Sequence, residues 1–461
     1  MNHIVGRFLA RKDYRAIHVS RHLLPFEDHR HLKPEHARVL VRARGMHVWD
    51  DAGNRLLDAM SGLWCTAVGY GRPELARAAA QQIDTQSFCS QYFLNTHPPV
   101  AELTSKLFEL LPPEFERVLY TNSGSEANDL MMRTVRRFWA LAGKPGKRII
   151  IGRRNGYHGS TQGSAAISGI DMLHAFGGLD LSEVRHIGEP YWYGYRGDLT
   201  EYEFGLVAAR ELETAILEAG ADQVAAFVAE PFQGAGGMIY PPYSYWPEIQ
   251  RICRQYDVLL CVDEVVGGFG RTGKWFASEH FGIEPDTMTL AKGLTSGTIP
   301  MGALALSRRI ADTLAECGGT FAHGFTYQGH PVAAAVALAN LRLLDEGGLV
   351  QQVDCDTGLY FQHCLRERFD GHPIVGEVQG SGMVAALQLS PKPSARARFD
   401  KEDVVGYHCA RQAQERGLIV RSSAARIILA PALIATHAQI DEIIDKLGDA
   451  VDATGRNAGL M

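Results

Sequence analysis

Two charged residues of this sequence stand where buried chemistry could occur. Lys292 lies in "LAKGLTSGTIPMG", between an apolar run and a loop of glycine, serine and threonine. A solvated lysine needs no such neighbours, so we expect another molecule to approach its amine closely, and desolvation to make that amine a nucleophile and base. Asp263 ends the apolar run of "VLLCVDEVV", where a carboxylate needs a cationic or hydrogen-bonding partner. A structural ion pair is the alternative for Asp263.

Two glycine-containing segments could bind the rest of a ligand. In "YTNSGSEAND", Gly124 and Ser125 precede a helix, so backbone N–H groups and the helix dipole would favour a phosphate there. The alternative is a simple helix cap by Ser123 or Ser125, with Glu126 in the first turn. In "NGYHGST", Tyr157 stands between glycines, where its ring could lie against a planar ligand or occupy a turn.

The elements that must position these residues alternate between helix and strand. Apolar residues recur at helical spacing in "SEANDLMMRTVRRFWALAG", "FGLVAARELETAILEAGA" and "YWPEIQRICRQYD", whereas "KRIIIG", "VAAFVAEPF" and "VLLCVDEVV" are typical of buried strands. This alternation predicts an α/β fold with a mainly parallel sheet and ligands at the carboxyl ends of its strands. We expect a boundary near residue 330 and a smaller α+β domain in which residues 1–70 join residues 331–461.

Composition excludes several classes of function. The 461 residues, 46% hydrophobic and 21% charged, are typical of a globular protein of two or three domains. A net charge of -6 without a basic stripe argues against nucleic-acid binding. We expect no secretory signal and no membrane span, and the eight scattered cysteines favour a reducing compartment. The sequence therefore indicates a cytoplasmic protein.

Other motifs in the sequence match known sites incompletely. Gly268, Gly270 and Gly273 fit a dinucleotide fingerprint, and the same stretch fits most of a P-loop, but Trp275 stands where magnesium binding requires a hydroxyl. The histidine-rich stretch "HLLPFEDHRHLKPEH" has no standard zinc spacing, so we expect no metal site. Nucleotide binding stays a weak rival, supported by the glycines alone.

Together the candidate residues match the needs of one cofactor. Pyridoxal 5'-phosphate requires a lysine for its aldehyde, a carboxylate for its ring nitrogen, an aromatic contact and a phosphate cradle. The segments "TNSGSEAND", "NGYHGST", "AEPFQGAGG", "VDEVVGGFGRTG", "LAKGLTSGTIPMG" and "HGFTYQGHP", in this order, resemble the class III aminotransferases of fold type I. The likeness is greatest to the ω-amine:pyruvate subgroup and, with "HLLPF", "AMSGLWC" and "GLIVR", extends over nearly the whole chain.

The resemblance assigns roles in cofactor binding. It implies that Lys292 is the Schiff-base lysine and proton shuttle, and that Asp263 pairs with the pyridinium nitrogen. Tyr157 is expected to stack on the ring, with Gly124 and Ser125 at the phosphate and Glu230 in a supporting position. Thr326 is expected to reach the phosphate of a neighbouring subunit. The resemblance therefore implies an obligate homodimer with active sites at the interface, and it admits a tetramer. It also identifies residues 71–330 as the large cofactor-binding domain.

The resemblance also indicates a substrate pocket. The residues that match lining positions are Phe26, Leu63, Trp64 and Tyr92, with core packing as the alternative for each. Arg421 matches a mobile arginine that binds a carboxylate and swings away for an apolar amine. Val266 replaces the glutamine of many α-ketoglutarate users and so favours pyruvate. Two residues depart from the pattern of this family: Cys89, and Arg426 within the segment "SSAARIILAPAL".

We therefore expect an ω-transaminase. A terminal amine, such as a diamine, an ω-amino acid or an arylalkylamine, would give its amino group to the cofactor in a ping-pong reaction through pyridoxamine phosphate, and pyruvate would leave as alanine. Putrescine-like diamines are the first expectation for the donor. The alternatives are an aminomutase or decarboxylase of the same fold, or an aminotransferase that uses α-ketoglutarate.

Overall fold

Strands of this protein form three sheets in the computed structural model, which describes residues 14–195 and 197–461. The strands are β1 (Leu40–Arg44), β2 (His47–Asp50), β3 (Arg55–Asp58), β4 (Phe115–Thr121), β5 (Ile149–Arg153), β6 (Val184–Ile187), β7 (Val224–Ala229), β8 (Leu259–Asp263), β9 (Thr287–Leu290), β10 (Gly302–Ser307), β11 (Val375–Ser381), β12 (Val384–Leu389), β13 (Leu418–Ile419), β14 (Arg421–Ser423) and β15 (Arg426–Leu429).

The central sheet has the order β4-β10-β9-β8-β7-β5-β6. Neighbouring strands from β9 to β6 pair in parallel, whereas β10 is antiparallel to both β4 and β9. Strands β7 and β8 are buried along their whole length, as expected for strands covered on both faces by helices. The predicted mainly parallel sheet is thus confirmed, with β10 as its antiparallel member.

Helices connect and cover the strands. Their bounds are α1 (Tyr14–Arg21), α2 (Ser61–Trp64, a distorted single turn), α3 (Pro73–Gln86), α4 (Pro98–Leu110), α5 (Gly124–Leu141), α6 (Gln162–Ile167), α7 (Asp171–Ala175), α8 (Glu201–Ala219), α9 (Tyr245–Gln255), α10 (Ala277–Phe281), α11 (Arg308–Cys317), α12 (Pro331–Asp345), α13 (Leu349–Cys355), α14 (Thr357–Phe369), α15 (Glu402–Glu415) and α16 (His437–Asn457), with 3-10 turns at Pro34–His36, Lys292–Leu294 and Pro393–Ala395. None of the helices in these described ranges is both long and apolar enough to cross a membrane.

Segments from the two ends of the chain join in a second sheet. The order is β1-β2-β3-β13, and Leu418 of β13 pairs in parallel with Leu57 of β3. The third sheet, β11-β12-β15-β14, is antiparallel and belongs to the C-terminal part. Because an N-terminal strand and a C-terminal strand share hydrogen bonds, residues near position 58 are fixed relative to residues near position 420.

Candidate active site

The carboxyl ends of three adjacent parallel strands carry the central candidate residues. Asp263 is the last residue of β8, Glu230 follows the end of β7 directly, and Lys292 comes two residues after β9. Since these strands are neighbours in the order β9-β8-β7, their ends meet at one edge of the sheet. The sequence prediction that the chemistry lies at this edge therefore agrees with the positions of the three side chains.

Asp263 lies in a buried hydrogen-bonded network and makes no ion pair with Lys292. Its Oδ2 accepts a hydrogen bond from Asn128 Nδ2 at 2.8 Å and lies 2.8 Å from His158 Nδ1, and its Oδ1 accepts the N–H of Val265 at 3.0 Å. Asp263, Asn128 and His158 expose 3%, 1% and 2% of their surface. The contacts with Asn128, His158 and the Val265 N–H hold this buried carboxylate in a fixed orientation.

The Lys292 amine is available for reaction. No hydrogen bond or ion pair to its Nζ occurs within residues 14–195 and 197–461; its contact is with the Trp64 ring, whose centroid is 5.3 Å away. Burial lowers the pKa of this amine below its usual 10.5, although the nearby Cys65, Asp263 and Glu230 oppose the shift. The backbone at Lys292 has a φ of 43°, a left-handed conformation that a non-glycine residue adopts at some cost and that is common at functional sites.

Trp64 brings a second cation to the same place. The guanidinium carbon of Arg421, the first residue of β14, lies 5.1 Å from the centroid of the Trp64 ring. No carboxylate in the described part of the chain pairs with Arg421, and burial lowers its pKa. The indole of Trp64, itself 2% exposed, thus contacts both the free amine and an unpaired guanidinium. The structure thus brings Trp64, Arg421 and Lys292 together.

Glu230 holds two loops rather than a cation. Its Oε2 accepts the N–H of Tyr157 at 3.2 Å, and its Oε1 accepts the N–H of Gly234 at 2.9 Å. Burial raises the pKa of this carboxyl. The hydroxyl of Tyr157 lies 3.2 Å from Ser160 Oγ. These bonds place Tyr157 at the same sheet edge as Asp263, and whether its ring stacks on a ligand stays a prediction.

The helix cap anticipated as an alternative at "NSGSE" is present. Ser123 Oγ accepts the N–H of Glu126 at 3.1 Å, so Ser123 is the N-cap of α5 and Gly124 and Ser125 form its first turn. Ser125 Oγ accepts the N–H of Ser160 at 3.2 Å. The first N–H groups of a helix have no acceptor within it, so a cap and an anion site are compatible here. A phosphate at Gly124 and Ser125 remains a prediction.

Four other predicted residues are exposed to solvent in the single chain. Thr326 is exposed in the turn before α12. Phe26, Leu63 and Tyr92 expose 61%, 53% and 41% of their surface. Tyr92 contacts the same turn as Thr326, because a Cβ added at Gly324 would lie 2.6 Å from the Tyr92 hydroxyl. These residues lie at the outer surface of the single chain.

Arg426, the unexpected second cation, binds other residues through its two terminal nitrogens, whereas its buried Nε has no partner in the described part of the chain. Its guanidinium is 3.3 Å from Glu377 Oε2, donates to Gln379 Oε1 and to the Met238 carbonyl at 3.1 Å each, and lies 4.6 Å from the centroid of the Tyr191 ring. Arg426 thus holds the third sheet against the loop after β7. We therefore count Arg421, and not Arg426, as the available cation.

The apolar wall and the glycine near-matches also have structural explanations. Val266 is 7% exposed and packs in one apolar cluster with Trp64 and Phe232. Cys89 lies in the exposed loop after α3, with Sγ 3.6 Å from the Ser90 carbonyl.

The glycine-rich stretch after β8 leads to α10, whose first N–H groups are bound by the Glu264 carboxylate: Ser278 N at 2.6 Å and Ala277 N at 3.0 Å. That occupied helix terminus does not present a phosphate site.

Sequence reasoning missed Asn128 and His158 as partners of Asp263. Asn128 is four residues after Gly124, one helical turn, so it shares the face that Gly124 presents to the sheet edge. A search for polar residues one turn after a glycine at a helix start could have found it. His158 carries no such signal, because only tertiary packing brings residue 158 against residue 263.

The chain as a whole is similar to known proteins. The family model Aminotransferase class-III matches residues 30–451. The chain is 46% identical over 443 residues to a putrescine–pyruvate aminotransferase of Pseudomonas aeruginosa, covering 96% of each protein. It is 39% identical to a diaminobutyrate–2-oxoglutarate transaminase of Halomonas elongata, covering 95% of this chain and 94% of that protein.

Solved structures give the same result. An omega-transaminase from Pseudomonas jessenii in complex with PMP superposes with a TM-score of 0.93 at 37% identity, covering 97% of this chain and 99% of that one.

Proposed function

Because the chain belongs to the class-III aminotransferases, fold type I enzymes that depend on pyridoxal 5'-phosphate, we propose that it transfers the amino group of a terminal amine to pyruvate. The products are an aldehyde or ketone and alanine. The observation that carries the proposal is the half-buried Lys292 amine, which has a lowered pKa, contacts Trp64 and forms no hydrogen bond within residues 14–195 and 197–461. An amine kept unpaired at the carboxyl edge of the sheet is suited to covalent chemistry.

The residues at this edge fit the cofactor. A Cβ added at Gly124 would lie 2.9 Å from a methyl group of Val265. Only a glycine therefore allows the start of α5 to lie this close to the loop after β8. Buried His158 Nε2 has no partner in the described part of the chain. We propose that Gly124 and Ser125 bind the phosphate, that Asp263 binds the ring nitrogen, and that Tyr157 contacts the ring.

The proposed mechanism assigns each step to a residue. When bound, pyridoxal phosphate would supply the electron-withdrawing ring that amino-group exchange requires. Lys292 Nζ would hold the cofactor covalently and, as a free amine, would move the proton at the substrate carbon that bears the nitrogen. Asp263 would face the ring nitrogen and hold it by a hydrogen bond. Asn128 and His158 keep that carboxylate oriented, and Glu230 supports the Tyr157 loop.

The donor and acceptor are proposed from the pocket and the relatives. Arg421, unpaired against Trp64, is the group that binds the carboxylate of pyruvate, since a guanidinium binds a carboxylate at two points. Val266 contributes an apolar wall that suits pyruvate. A linear diamine such as putrescine is the first candidate donor, because the relative with 46% identity is a putrescine–pyruvate aminotransferase.

We propose that two chains complete each site. An apolar surface on one side of the chain supports a homodimer, which can assemble into a tetramer: Phe88, Tyr92, Phe93, Leu94, Phe321 and Tyr327 are each at least 41% exposed. Thr326 lies in the same exposed segment, so it can reach the phosphate bound by a second chain, where Phe26 and Leu63 would also be covered. Light scattering of the purified protein measures this, and a monomer would contradict it.

The division into domains and the compartment are proposals as well. We propose a large domain of residues 71–330 and a small domain of residues 1–70 and 331–461, supported by the pairing of β3 with β13. All eight cysteines are free thiols, which supports the cytoplasm as the compartment.

The experiment that tests the function is visible spectroscopy of the protein loaded with pyridoxal phosphate. Putrescine, β-alanine, taurine and 1-phenylethylamine are added separately, and pyruvate or α-ketoglutarate is then added to each. We expect a donor to bleach the yellow absorbance and pyruvate to restore it while alanine forms. If α-ketoglutarate restores the absorbance and pyruvate does not, the acceptor is α-ketoglutarate. Product formation without net transfer to either acid would indicate an aminomutase or decarboxylase.

A further inference from the structure

The turn that carries Trp64 has a strained backbone. Ser61, Gly62 and Trp64 have φ values of 48°, 70° and 58°, so three of four consecutive residues are left-handed and two of them are not glycine. Such a conformation costs free energy and persists only where surrounding contacts determine it. The contacts that hold this turn therefore decide where the Trp64 indole lies.

One set of contacts comes from the strand before the turn. Asp58, the last residue of β3, is 2% exposed. Its carboxylate accepts the N–H of Met60 at 2.8 Å, the N–H of Gly62 at 2.7 Å and the hydroxyl of Tyr70 at 2.7 Å. These bonds fix the first half of the turn.

The other set comes from Arg271, in the loop after β8. Its guanidinium donates to Ser61 Oγ at 3.0 Å, to the Pro431 carbonyl at 2.6 Å and to the Ala430 carbonyl at 3.3 Å. Ser61 Oγ in turn donates to the Ala430 carbonyl. Arg271 thus ties together the loop that follows Asp263, the Trp64 turn and the chain just after β15.

Arg271 is placed there at a cost. It is 2% exposed, and no carboxylate forms an ion pair with it in residues 14–195 or 197–461. Burial lowers its pKa to about 10, which leaves it charged at neutral pH. Burying a charge without an ion-pair partner costs free energy, and the hydrogen bonds of the charged group must offset that cost. One of its bonds goes to Ser61 in the Trp64 turn, and the other two go to the Ala430 and Pro431 carbonyls, of which Ala430 also accepts the Ser61 hydroxyl.

We propose that Arg271 is a positioning residue for substrate selection: by holding Ser61, it keeps the Trp64 indole against the Lys292 amine and so limits the bulk of the amine that the site accepts. This inference rests on the proposed function, since it concerns the amine that reacts at Lys292. Arg271 acts through Ser61 and Trp64 and does not itself contact the reacting amine.

The test compares two variants with a matched control. Arg271→Gln removes the cation, whereas Ser61→Ala keeps the cation and its bonds to the Ala430 and Pro431 carbonyls and removes only its hydroxyl acceptor. Lys147→Met is the control, because Lys147 is also a buried cation that binds backbone carbonyls, those of Ala221, Val224, Tyr256 and Asp257. These carbonyls lie at the amino ends of the strands, on the opposite edge of the sheet from Lys292.

The readout is selectivity, which a general loss of stability does not change. We expect kcat/KM for putrescine relative to 1-phenylethylamine to fall about tenfold in Arg271→Gln and about threefold in Ser61→Ala, within the range that a pocket wall contributes. The ratio in Lys147→Met should stay within about twofold of the wild type. An unchanged ratio in both test variants would overturn the proposal, and if Arg271→Gln does not fold, Ser61→Ala decides alone.

A double variant separates positioning from an independent effect. If Ser61 acts through Trp64, adding Ser61→Ala to Trp64→Ala changes the selectivity ratio no further, whereas additive changes refute the coupling. Hydrogen–deuterium exchange of residues 59–66 supplies a readout that needs no turnover. Faster exchange in Arg271→Gln and Ser61→Ala supports the positioning role even if neither amine proves to be a substrate, and unchanged exchange refutes it.

Discussion

Replacing Glu264 with glutamine tests how a buried carboxylate beside the active site affects stability. Glu264 follows Asp263, is fully buried, and binds the first N–H groups of α10. Burial raises its pKa from 4.5 to about 7, and the neighbouring Asp263 charge contributes in the same direction. Glutamine has nearly the shape of the protonated carboxyl but cannot ionise. The variant therefore removes the pH dependence of this group; its amide accepts only one of the two N–H groups, which adds a pH-independent offset to its stability.

The sign and size follow from the difference in proton binding. Because the pKa is raised in the folded state, the stabilising contribution is complete below the unfolded value of 4.5 and is lost as pH rises through about 7. At about 1.4 kcal/mol per pKa unit, the free energy of unfolding of the wild type should fall by about 2.5 kcal/mol relative to Glu264→Gln between pH 5 and pH 8.

The assay is urea unfolding of the cofactor-loaded wild type and Glu264→Gln at several pH values. Glu203→Gln is a control whose difference from the wild type should stay nearly constant from pH 5 to pH 8, because backbone and side-chain hydrogen bonds from Thr200 lower the pKa of the exposed Glu203 carboxyl below 4.5 and so outside that range. A wild-type-minus-Glu264→Gln difference that is constant from pH 5 to pH 8 would refute the raised pKa. A difference that grows in favour of the wild type as pH rises would show that the pKa of Glu264 is lowered and not raised.

Three further predictions concern the reaction itself. Lys292→Ala should lower alanine formation by at least about 10²–10⁴-fold in a steady-state assay, since the variant lacks the proton-transferring amine; activity within tenfold of the wild type would contradict its role. Because burial lowers the pKa of Lys292, the rate of cofactor reloading should rise with pH along a limb centred below 10.5, and a limb at or above that value would be inconsistent with burial. Arg421→Gln should raise KM for pyruvate roughly 10–100-fold through loss of charged hydrogen bonds, with KM for 1-phenylethylamine changed less than about threefold; an equal rise in both would argue against a specific carboxylate contact.

Local sequence patterns predicted the elements that hold the site. The helix at Gly124–Leu141 and the strands at Val224–Ala229 and Leu259–Asp263 lie within a few residues of the predicted segments, because their hydrophobic periodicity is strong. Strands β2 and β3 pair as a hairpin within "HVWDDAGNRLLDAMSG", where apolar residues cluster on both sides of a short polar turn. The reversed direction of β10 was not predicted, since pairing direction depends on contacts distant in sequence.

The site could be predicted in part, for a comparable reason. Lys292 and Asp263 were identifiable because a charge beside an apolar run needs a local explanation. The hydrogen bonds of His158 to Asp263 and of Arg271 to Ser61 join positions 105 and 210 residues apart, so no local pattern announces them. Arg426 was identified as unusual from the sequence, but its pairing with Glu377 required the folded third sheet.

The pairing of β3 with β13 has a consequence for the order of events during synthesis. Leu57 bonds in register with Leu418, so β3 leaves the ribosome roughly 20–70 s before its partner at 5–20 residues per second. One edge of β3 lacks that partner during this interval, and an unpaired edge invites pairing with other nascent chains. Its length of four residues limits this hazard. The Trp64 turn, which follows β3 and needs the carbonyls near residue 430, can reach its final shape only when translation is almost complete.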